Sequence, residues 1–478
     1  MSTPTLRTGT APTEVDPRWP ARLRGILAVL CLALFLDGLD GSMVGVALPS
    51  IGHDLGMAPA SLQWIVNGYL LGYGGLLLLG GRAADLLGRR RVFLIALGVF
   101  AAASLLGSLA DGGTLLIVTR FVKGTAAAFT APTALSLLTT TFPEGPQRNR
   151  ALAFFSLFGA LGYSCGLVLG GLLTSAGWRY VFVMPAPFAL LALAVGWKLI
   201  PRDRPSRAGG HDPAGALTLA AGMVLAVYGV VTAPERGWAS TATLGVLGLA
   251  VALLVAFVLV EKRVRHPLIR LSVLRRASVV RANVSIVALI GSYMSFQFML
   301  VLFLQDGLGW SPLRMAFALL PIGVVVALGS PSVGRLANRF GTTPLVRASM
   351  VATVLGYCWF LATAGDPPSY PATMLPSVLL LGVGFALGYS AIMAQATEGI
   401  PDEDQGLASG LIQTSAMVGS AVVLAVVTGL IGGAGHHGTA FTPYRAGLDL
   451  VTAVAVVGLL LSLVPLRRAR RAGDDRPA

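Results

Sequence analysis

Two carboxylates lie in the middle of the first long apolar run of the chain. Asp37 and Asp40 are three residues apart, which places them on one face if the run is a helix. If that helix crosses a membrane, a charged carboxylate at this depth costs roughly 2.5 to 3.5 kcal/mol on insertion scales, so such residues are seldom kept without a use. Two neighbouring carboxylates cannot both be ionised freely. We expect the pair to exchange protons near neutral pH; the alternatives are a structural ion pair or a position in a water-filled vestibule.

A basic partner for this pair is expected on another apolar run. Arg120 lies in the first turns of the fourth run, and an arginine stays protonated under any plausible condition. It can therefore hold one aspartate ionised until a proton or a cationic substrate competes. Lys123, one turn further along, is expected to extend the same network. The alternative for Arg120 is a side chain that snorkels toward the outer interface.

The elements that position these residues are predicted to be transmembrane helices. Of 478 residues, 55% are apolar and 12% are charged, and this composition suits a lipid environment rather than water. A span needs roughly 20 mostly apolar residues. Runs of that length recur fourteen times, which predicts an all-α integral membrane protein. The predicted cores are 26–48, 61–81, 92–110, 115–139, 151–173, 180–199, 213–231, 241–260, 282–304, 315–333, 345–364, 372–394, 408–430 and 446–465.

The net charge of +14 is explained by topology and does not indicate a nucleic-acid partner. If the amino terminus is cytoplasmic, the inner segments hold 29 of the 35 Lys and Arg residues. This bias fixes the orientation of a multi-pass protein, because positively charged loops resist translocation. We expect both termini in the cytoplasm, and a secondary attraction of the basic loops to anionic lipid headgroups.

An internal repeat predicts two related halves. The pattern G-R-x-A-[D/N]-x-x-G begins at Gly81 and again at Gly334, 253 residues and eight predicted spans later. A duplicated six-helix unit would separate the copies by six spans, so two helices are inserted between the halves. The predicted organisation is a tail (1–24), a six-helix bundle (25–199), an inserted helix pair with basic loops (200–281), a second six-helix bundle (282–465) and a tail (466–478). Such halves rock about a central site.

The first copy of the repeated pattern is predicted to form a cytoplasmic gate. Asp85 could cap a helix of the opposite half while Arg89 and Arg90 face the carboxyl ends of that helix or the lipid headgroups, which would lock the inward gate shut. Taken singly, these basic residues are explained by topology alone. The predicted gating residues are Gly81, Asp85, Gly88, Arg89 and Arg90.

Glycines on the fifth span form a bare stripe. Gly162, Gly166 and Gly170 recur every four residues, so that face lets another helix approach closely and suits a sliding or rocking contact. Ordinary packing between membrane helices is the alternative.

For substrate contacts the sequence offers Tyr293, Gln297, Met299 and Gln413, a mixture of polar, aromatic and soft side chains that suits a tolerant pocket. Such residues also occur facing lipid.

Motifs through most of the chain resemble the major facilitator superfamily, in particular its fourteen-helix drug:proton antiporter family. The resembling segments are LDGSMVGVALP (39–49), SLQWIVNGYLL (61–71), GRAADLLGRRR (81–91), RFVKG (120–124), CGLVLGG (165–171), GWRYVF (177–182), FLQDGLGWSP (303–312), ALLPIG (318–323) and GLASG (406–410). The resemblance implies proton-driven efflux of hydrophobic, often cationic compounds such as antibiotics. It assigns proton coupling to Asp40 and Arg120, gating to the 81–91 loop, and the antiporter motif to the glycine stripe with Gly171.

The chain departs from the family pattern at several positions. Leu167 follows Gly166 where a proline is usual, and Lys123 replaces a common glutamine. Leu86 replaces a common basic residue, and Asn338 neutralises the second copy of the gating aspartate. Asp37 is an addition to the family pattern, and we expect it to alter the proton stoichiometry or the cation preference of transport.

The remaining expectations concern energy source and partners. The sequence holds no G-x-x-x-x-G-K-[S/T] phosphate loop, so ATP drive is not expected, and neither is enzymatic activity, a metal or an organic cofactor. The expected partners are a small-molecule substrate, protons and the lipid bilayer of a bacterial cytoplasmic membrane, with the protein as a monomer. An uptake carrier driven by protons is the alternative on the same scaffold. A channel or a transporter-like sensor is the alternative from another class.

Overall fold

The computed structural model describes residues 19–143, 146–202, 213–264, 276–364, 368–398, 400, 402–431 and 441–464. In these residues, fourteen helices are long and apolar enough to cross a membrane, which confirms the predicted fold class. The helices are α1 (Ala21–Leu55), α2 (Pro59–Leu87), α3 (Arg89–Ser108), α4 (Gly113–Thr141), α5 (Pro146–Ala176), α6 (Arg179–Leu199), α7 (Pro213–Arg236), α8 (Thr241–Glu261), α9 (Ala277–Gly307), α10 (Pro312–Phe340), α11 (Thr342–Thr363), α12 (Tyr370–Thr397), α13 (Asp402–Ile431) and α14 (Arg445–Leu463).

Local chemistry sets several helix ends. Ser240 and Ser311 precede α8 and α10, and each side chain accepts a hydrogen bond from a backbone N–H of the first turn, at 3.2 and 3.3 Å. These caps satisfy donors that have no partner within the helix. Gly56 ends α1 with φ 63°, a left-handed conformation that glycine adopts without strain. The helices begin and end within seven residues of the predicted limits.

The final glycine of the repeated pattern has the same structural role in both copies. Gly88 alone separates α2 from α3, and Gly341 alone separates α10 from α11. Their φ values are 93° and 83°, in the region that side chains with a Cβ rarely adopt. A one-residue link of this kind turns the chain sharply at the end of a span. The repeated pattern thus encodes one tight turn at corresponding positions of the two halves.

Arginines bind the last carbonyls of α6 in the first half. The Arg22 Nε on α1 donates to the carbonyl oxygen of Leu199 at 3.2 Å. The guanidinium of Arg90 on α3 donates to the carbonyl of Trp197 at 2.6 Å and lies 5.3 Å from the indole ring centroid. Cations at a helix carboxyl end satisfy free carbonyls and interact favourably with the helix dipole.

The second half repeats this arrangement at the end of α14. Arg281 on α9 donates to the carbonyl of Val464, and Arg347 on α11 donates to the carbonyl of Ser462 at 3.0 Å. The first, third and sixth helices of each half therefore meet at one end through an arginine clamp. The clamp joins helices of the same half, so it stabilises each half as one body.

The two halves meet along two seams. One seam pairs α2 with α13, and the other pairs α5 with α10. Within the first half, α1 packs along α5 and α2 packs along α4. Helix α7 packs against α8 and also against both α2 and α13, so it lies over one of the seams. The division of the chain at residues 200 and 282 remains a prediction.

The glycine stripe of α5 is the surface on which α1 packs. A Cβ at Gly170 would lie 2.9 Å from the carbonyl oxygen of Met43, and one at Gly166 would lie 2.5 Å from that of Leu39. Gly162 lies closer still to the backbone of Phe35. Only residues without a Cβ permit this approach. The stripe therefore fixes α1, with its two carboxylates, tightly against α5.

Gly171 extends this small surface toward the second half. A Cβ there would lie 2.7 Å from the Cβ of Ala316 and 2.9 Å from the carbonyl oxygen of Pro312, both on α10. Gly171 therefore faces the other bundle, whereas Gly162, Gly166 and Gly170 face α1.

Candidate functional site

A buried charged cluster joins α1 to α4. Asp40 is fully buried and lies between two cations of α4, so that its Oδ2 accepts from Arg120 and its Oδ1 accepts from Lys123. Arg120 is 2% exposed, and Lys123 is fully buried. Both carboxylate oxygens of Asp40 therefore have a charged donor, which is the arrangement that a buried carboxylate requires.

Close packing of α2 on α4 positions the two cations. A Cβ at Gly72 would lie 2.8 Å from the backbone nitrogen of Thr125, and Gly124 lies against the backbone of Tyr69. This approach brings the Tyr69 ring over Arg120, with 4.5 Å between the guanidinium carbon and the ring centroid. The Arg120 Nε also donates to the carbonyl of Ile65 at 3.1 Å. The guanidinium is thus held from α2 and directed at Asp40.

Lys123 lies in an aromatic pocket on its other side. Its Nζ is 4.7 Å from the ring centroid of Phe100 on α3 and 5.7 Å from that of Phe182 on α6. Rings at these distances attract an ammonium through their negative faces. Among the described residues, Asp40 is the hydrogen-bond acceptor and salt-bridge partner of this ammonium.

Asp37 is in a different state from Asp40. It is 8% exposed, and within the described part of the chain its buried Oδ2 has no hydrogen-bond partner. It is near enough to Asp40 and Lys123 to interact with both electrostatically. The pair predicted from sequence therefore divides into one carboxylate that is held by two cations and one that is not.

These contacts resolve two of the alternatives left by the sequence. Arg120 does not snorkel toward an interface, because it is buried and bonded to Asp40. Asp40 forms the structural ion pair that was one alternative for the two aspartates, whereas Asp37 forms no such pair among the described residues.

A second group of polar residues lies where the two halves meet. The hydroxyl of Tyr163 on α5 donates to the Oε1 of Gln297 on α9 at 2.7 Å and lies 3.4 Å from the hydroxyl oxygen of Tyr293. Toward the predicted outer face, the Nε2 of Gln305 donates to the carbonyl of Val46 on α1 at 2.9 Å. Direct hydrogen bonds thus join the first half to α9 of the second half.

Aromatic rings continue this group into the second half. Tyr293 lies 5.7 Å from Phe385, and Phe385 stacks on Tyr389 with ring centroids 5.8 Å apart. The hydroxyl of Tyr389 lies 3.4 Å from the Oε1 of Gln413 on α13. We call Tyr163, Tyr293, Gln297, Phe385, Tyr389 and Gln413 the aromatic row.

The aromatic row contains three of the four substrate contacts predicted from sequence. Met299 lies apart from it, because its sulfur packs against Gly447 of α14. Sequence reasoning missed Tyr163, Phe385 and Tyr389. The available signal was weak: Tyr163 is a polar residue directly after Gly162 of the stripe, and Tyr389 follows Phe385 by one turn of α12.

The predicted gating residues are only partly described. Gly81 and Asp85 lie in α2, but the side chain of Asp85 is outside the described residues, so its role as a cap stays a prediction. Arg89 lines a cavity of ≈ 460 Å³ at the ends of α1, α3 and α4. Arg90 binds the carbonyl of Trp197 on α6 of its own half, and its role in gating stays a prediction.

Comparison with known proteins identifies the class. Residues 30–424 match the Major Facilitator Superfamily. The chain belongs to this superfamily, and it is a multi-pass membrane transporter rather than an enzyme.

Two relatives match most of the chain. The puromycin resistance protein pur8 of Streptomyces alboniger is 36% identical over 465 residues, which cover 93% of this chain and 90% of that protein. The cephamycin export protein CmcT of Amycolatopsis lactamdurans is 36% identical over 429 residues, covering 87% and 88% of the two chains.

Solved transporters share the fold. The POT family transporter PepTSo superposes with a TM-score of 0.65 at 18% identity, over 93% of this chain and 98% of that chain. A POT peptide transporter in complex with sulfate gives a TM-score of 0.67 at 16% identity, over 92% and 93%. These likenesses concern the fold alone.

Proposed function

We propose that the protein exports small hydrophobic or cationic compounds, antibiotics among them, in exchange for protons. The observation that carries the proposal is the pair of unequal carboxylates on α1: Asp40 is bonded to two cations, whereas the buried Oδ2 of Asp37 has no hydrogen-bond partner among the described residues. The relatives named for puromycin resistance and cephamycin export favour export as the direction. We place the protein in a bacterial cytoplasmic membrane, with both termini in the cytoplasm, because the inner loops carry the basic residues.

Asp40 is the fixed anion of the mechanism. Two cationic side chains donate to its carboxylate, one to each oxygen. Removing Asp40 would leave both buried cations without the carboxylate to which they are bonded. Asp40 therefore holds α1 to α4 throughout the cycle.

Asp37 is the carboxylate that gains and loses a proton. Asp40, Arg120 and Lys123 together carry one positive charge, so an ionised Asp37 makes the cluster neutral. Protonation of Asp37 leaves a net positive charge inside the first half, which opposes a bound cation. A cationic cargo and a proton thus compete for the same negative charge, and this competition couples their movements in opposite directions.

The aromatic row is the proposed cargo site. It lies where the halves meet, and it combines rings that accommodate varied apolar surfaces with the hydroxyl of Tyr163 and the amides of Gln297 and Gln413. Cargo that takes up these polar groups replaces the direct bond between Tyr163 and Gln297. The halves can then separate on one side and close on the other, as alternating access requires.

Transport by purified protein in liposomes tests the proposal. We would load puromycin, impose a pH gradient, and follow radiolabelled puromycin together with an internal pH dye. The wild type should move puromycin against its gradient, toward the side from which protons flow. Asp37→Asn should abolish this accumulation, whereas Asp449→Asn, an exposed aspartate of α14, should leave it unchanged.

Two outcomes would contradict the proposal. Accumulation of puromycin on the side to which protons flow would indicate a proton-coupled uptake carrier. Equal proton-coupled transport by wild type and Asp37→Asn would show that Asp37 is not the coupling residue.

A further inference from the structure

Two buried side-chain amides on α2 have polar atoms without hydrogen-bond partners. Asn67 is fully buried, and within the described residues neither its Oδ1 nor its Nδ2 has a partner. Gln63, one turn earlier, is 1% exposed, and its Oε1 is without a partner there as well. Buried polar groups are usually hydrogen-bonded, so two neighbouring exceptions need a physical reason. We call Gln63 and Asn67 the amide pair.

The amide pair lies on the face of α2 that packs against α13. Asn67 and Gly74 are seven residues apart, a spacing that keeps both on one helix face, and Gln63 is one turn before Asn67. A Cβ at Gly74 would lie 2.7 Å from the Cβ of Met417 on α13. The amide pair is therefore directed into the seam between the two halves.

The two helices of this seam run in opposite directions. Gly74 lies beside Met417, and Leu78, one turn later on α2, approaches to 3.0 Å from the Cβ position of Gly410. Extending this antiparallel register toward the start of α2 places the amide pair beside residues 421–428 of α13. In the proposed orientation, α2 begins and α13 ends at the outer face, so the amide pair lies in the outer part of the seam.

The facing part of α13 gives these unpartnered atoms no hydrogen bond in the described structure. Ala421 and Ala425 are fully buried and belong to the apolar cluster that includes Leu71 of α2. The hydroxyl of Thr428 donates to the carbonyl of Leu424, on its own helix, at 2.8 Å. The seam therefore removes the amide pair from water without replacing the hydrogen bonds that water would supply.

The outer side of the molecule is closed in this structure. Gln305 of α9 donates to the carbonyl of Val46 on α1, which joins the two halves. Trp64, next to Gln63, packs on Tyr228 of α7 with 5.8 Å between ring centroids, and this contact covers the seam. A buried polar group without a partner destabilises the state that buries it. Opening of the outer side would return the amide pair to water and remove this penalty.

We propose that the amide pair is a conformational device that favours opening of the outer side of the transporter. It destabilises the closed outer seam and has no such effect once the seam is open and hydrated. The bias acts in the empty carrier, because it requires neither cargo nor a proton. The proposal rests on the alternating access of the proposed function, and it names two residues that set the balance between the two forms.

Hydrogen–deuterium exchange of the full-length protein in nanodiscs, without cargo and at constant pH, tests the proposal. Asn67→Leu and Gln63→Met each replace an amide by an apolar side chain of similar size. In both variants, backbone N–H groups at the outer ends of α2 and α13 should exchange about 5-fold or more slowly than in the wild type, because the outer side opens less often. Those at the inner ends of the same helices should exchange faster, because the inner side is open for more of the time.

Thr428→Val is the matched control. It removes a hydroxyl from the same seam, but one that is already hydrogen-bonded within its own helix, so exchange at the outer ends should equal that of the wild type. Thermal unfolding checks the fold of every variant. Asn67→Leu and Gln63→Met should unfold at a temperature no lower than the wild type, because each removes an unpartnered buried group.

Exchange at the outer ends that is unchanged or faster in either amide variant would overturn the proposal. So would slower exchange at both the outer and the inner ends, equal slowing in Thr428→Val, or a lower unfolding temperature in both amide variants. None of these results depends on protons or cargo, so failure here is distinguishable from failure of proton-coupled export. The liposome assay with Asp37→Asn decides the latter.

Discussion

Asp37 and Asp40 lie one turn apart on α1, yet only Asp40 is bonded to the cations of α4 in the described structure. Two residues of the same type thus have different surroundings. In the proposed mechanism, Asp40 therefore has a structural role, holding α1 to α4, and Asp37 exchanges the proton.

The two carboxylates should differ in their effect on stability. Asp40→Asn leaves Arg120 and Lys123 buried without the carboxylate to which both are bonded, so it should lower the free energy of unfolding by about 3–5 kcal/mol. Asp37→Asn removes a carboxylate whose buried Oδ2 has no hydrogen-bond partner in the described part of the chain, so its cost in stability should be smaller. Thermal unfolding in detergent, followed by tryptophan fluorescence, measures both. A larger loss for Asp37→Asn would contradict this division of roles.

The hydroxyl of Tyr163 should contribute to cargo binding. Tyr163→Phe removes the hydroxyl that donates to Gln297 while keeping the ring. Loss of a hydrogen bond of about 0.5–1.5 kcal/mol to the cargo corresponds to an increase in the KM for puromycin of about 2- to 10-fold. Tyr180→Phe is the matched control, because Tyr180 is 54% exposed on α6. Initial rates in liposomes measure both variants. Equal KM values for the two variants would remove Tyr163 from the cargo site.

The glycine stripe should tolerate no added methyl group. Gly166→Ala would place a Cβ 2.5 Å from the carbonyl oxygen of Leu39, so α1 and α5 must separate. We expect a lower unfolding temperature and slower transport. Gly248→Ala on α8 is the control, since nothing lies within 4 Å of its Cβ position. Size-exclusion chromatography and thermal unfolding test the pair, and equal stability would show that α1 does not need this close approach.

Much of the architecture could be predicted from sequence because lipid imposes a simple rule on length and polarity. The fourteen spans follow from runs of apolar residues, and the repeat of Gly81 and Gly334 predicts related halves. The paired links at Gly88 and Gly341 then show that the repeat encodes a turn.

The site was predictable only in part. Buried charge marked Asp37, Asp40 and Arg120, because polarity is rare in a span. The unequal partnering of the two aspartates was not predictable, since it depends on the rotation of α1 against α4. Likewise, helical periodicity does not reveal that Tyr163 meets Gln297 across the halves, or that Met299 faces α14.

The central claim, that Asp37 carries the proton that cargo displaces, is tested most directly by proton release on binding. Puromycin would be added to unbuffered, detergent-solubilised protein near neutral pH, with a pH-sensitive dye in solution and binding measured in parallel. The account predicts proton release in the wild type and in Asp449→Asn, and no release in Asp37→Asn although puromycin still binds. Release that is undiminished in Asp37→Asn would contradict it.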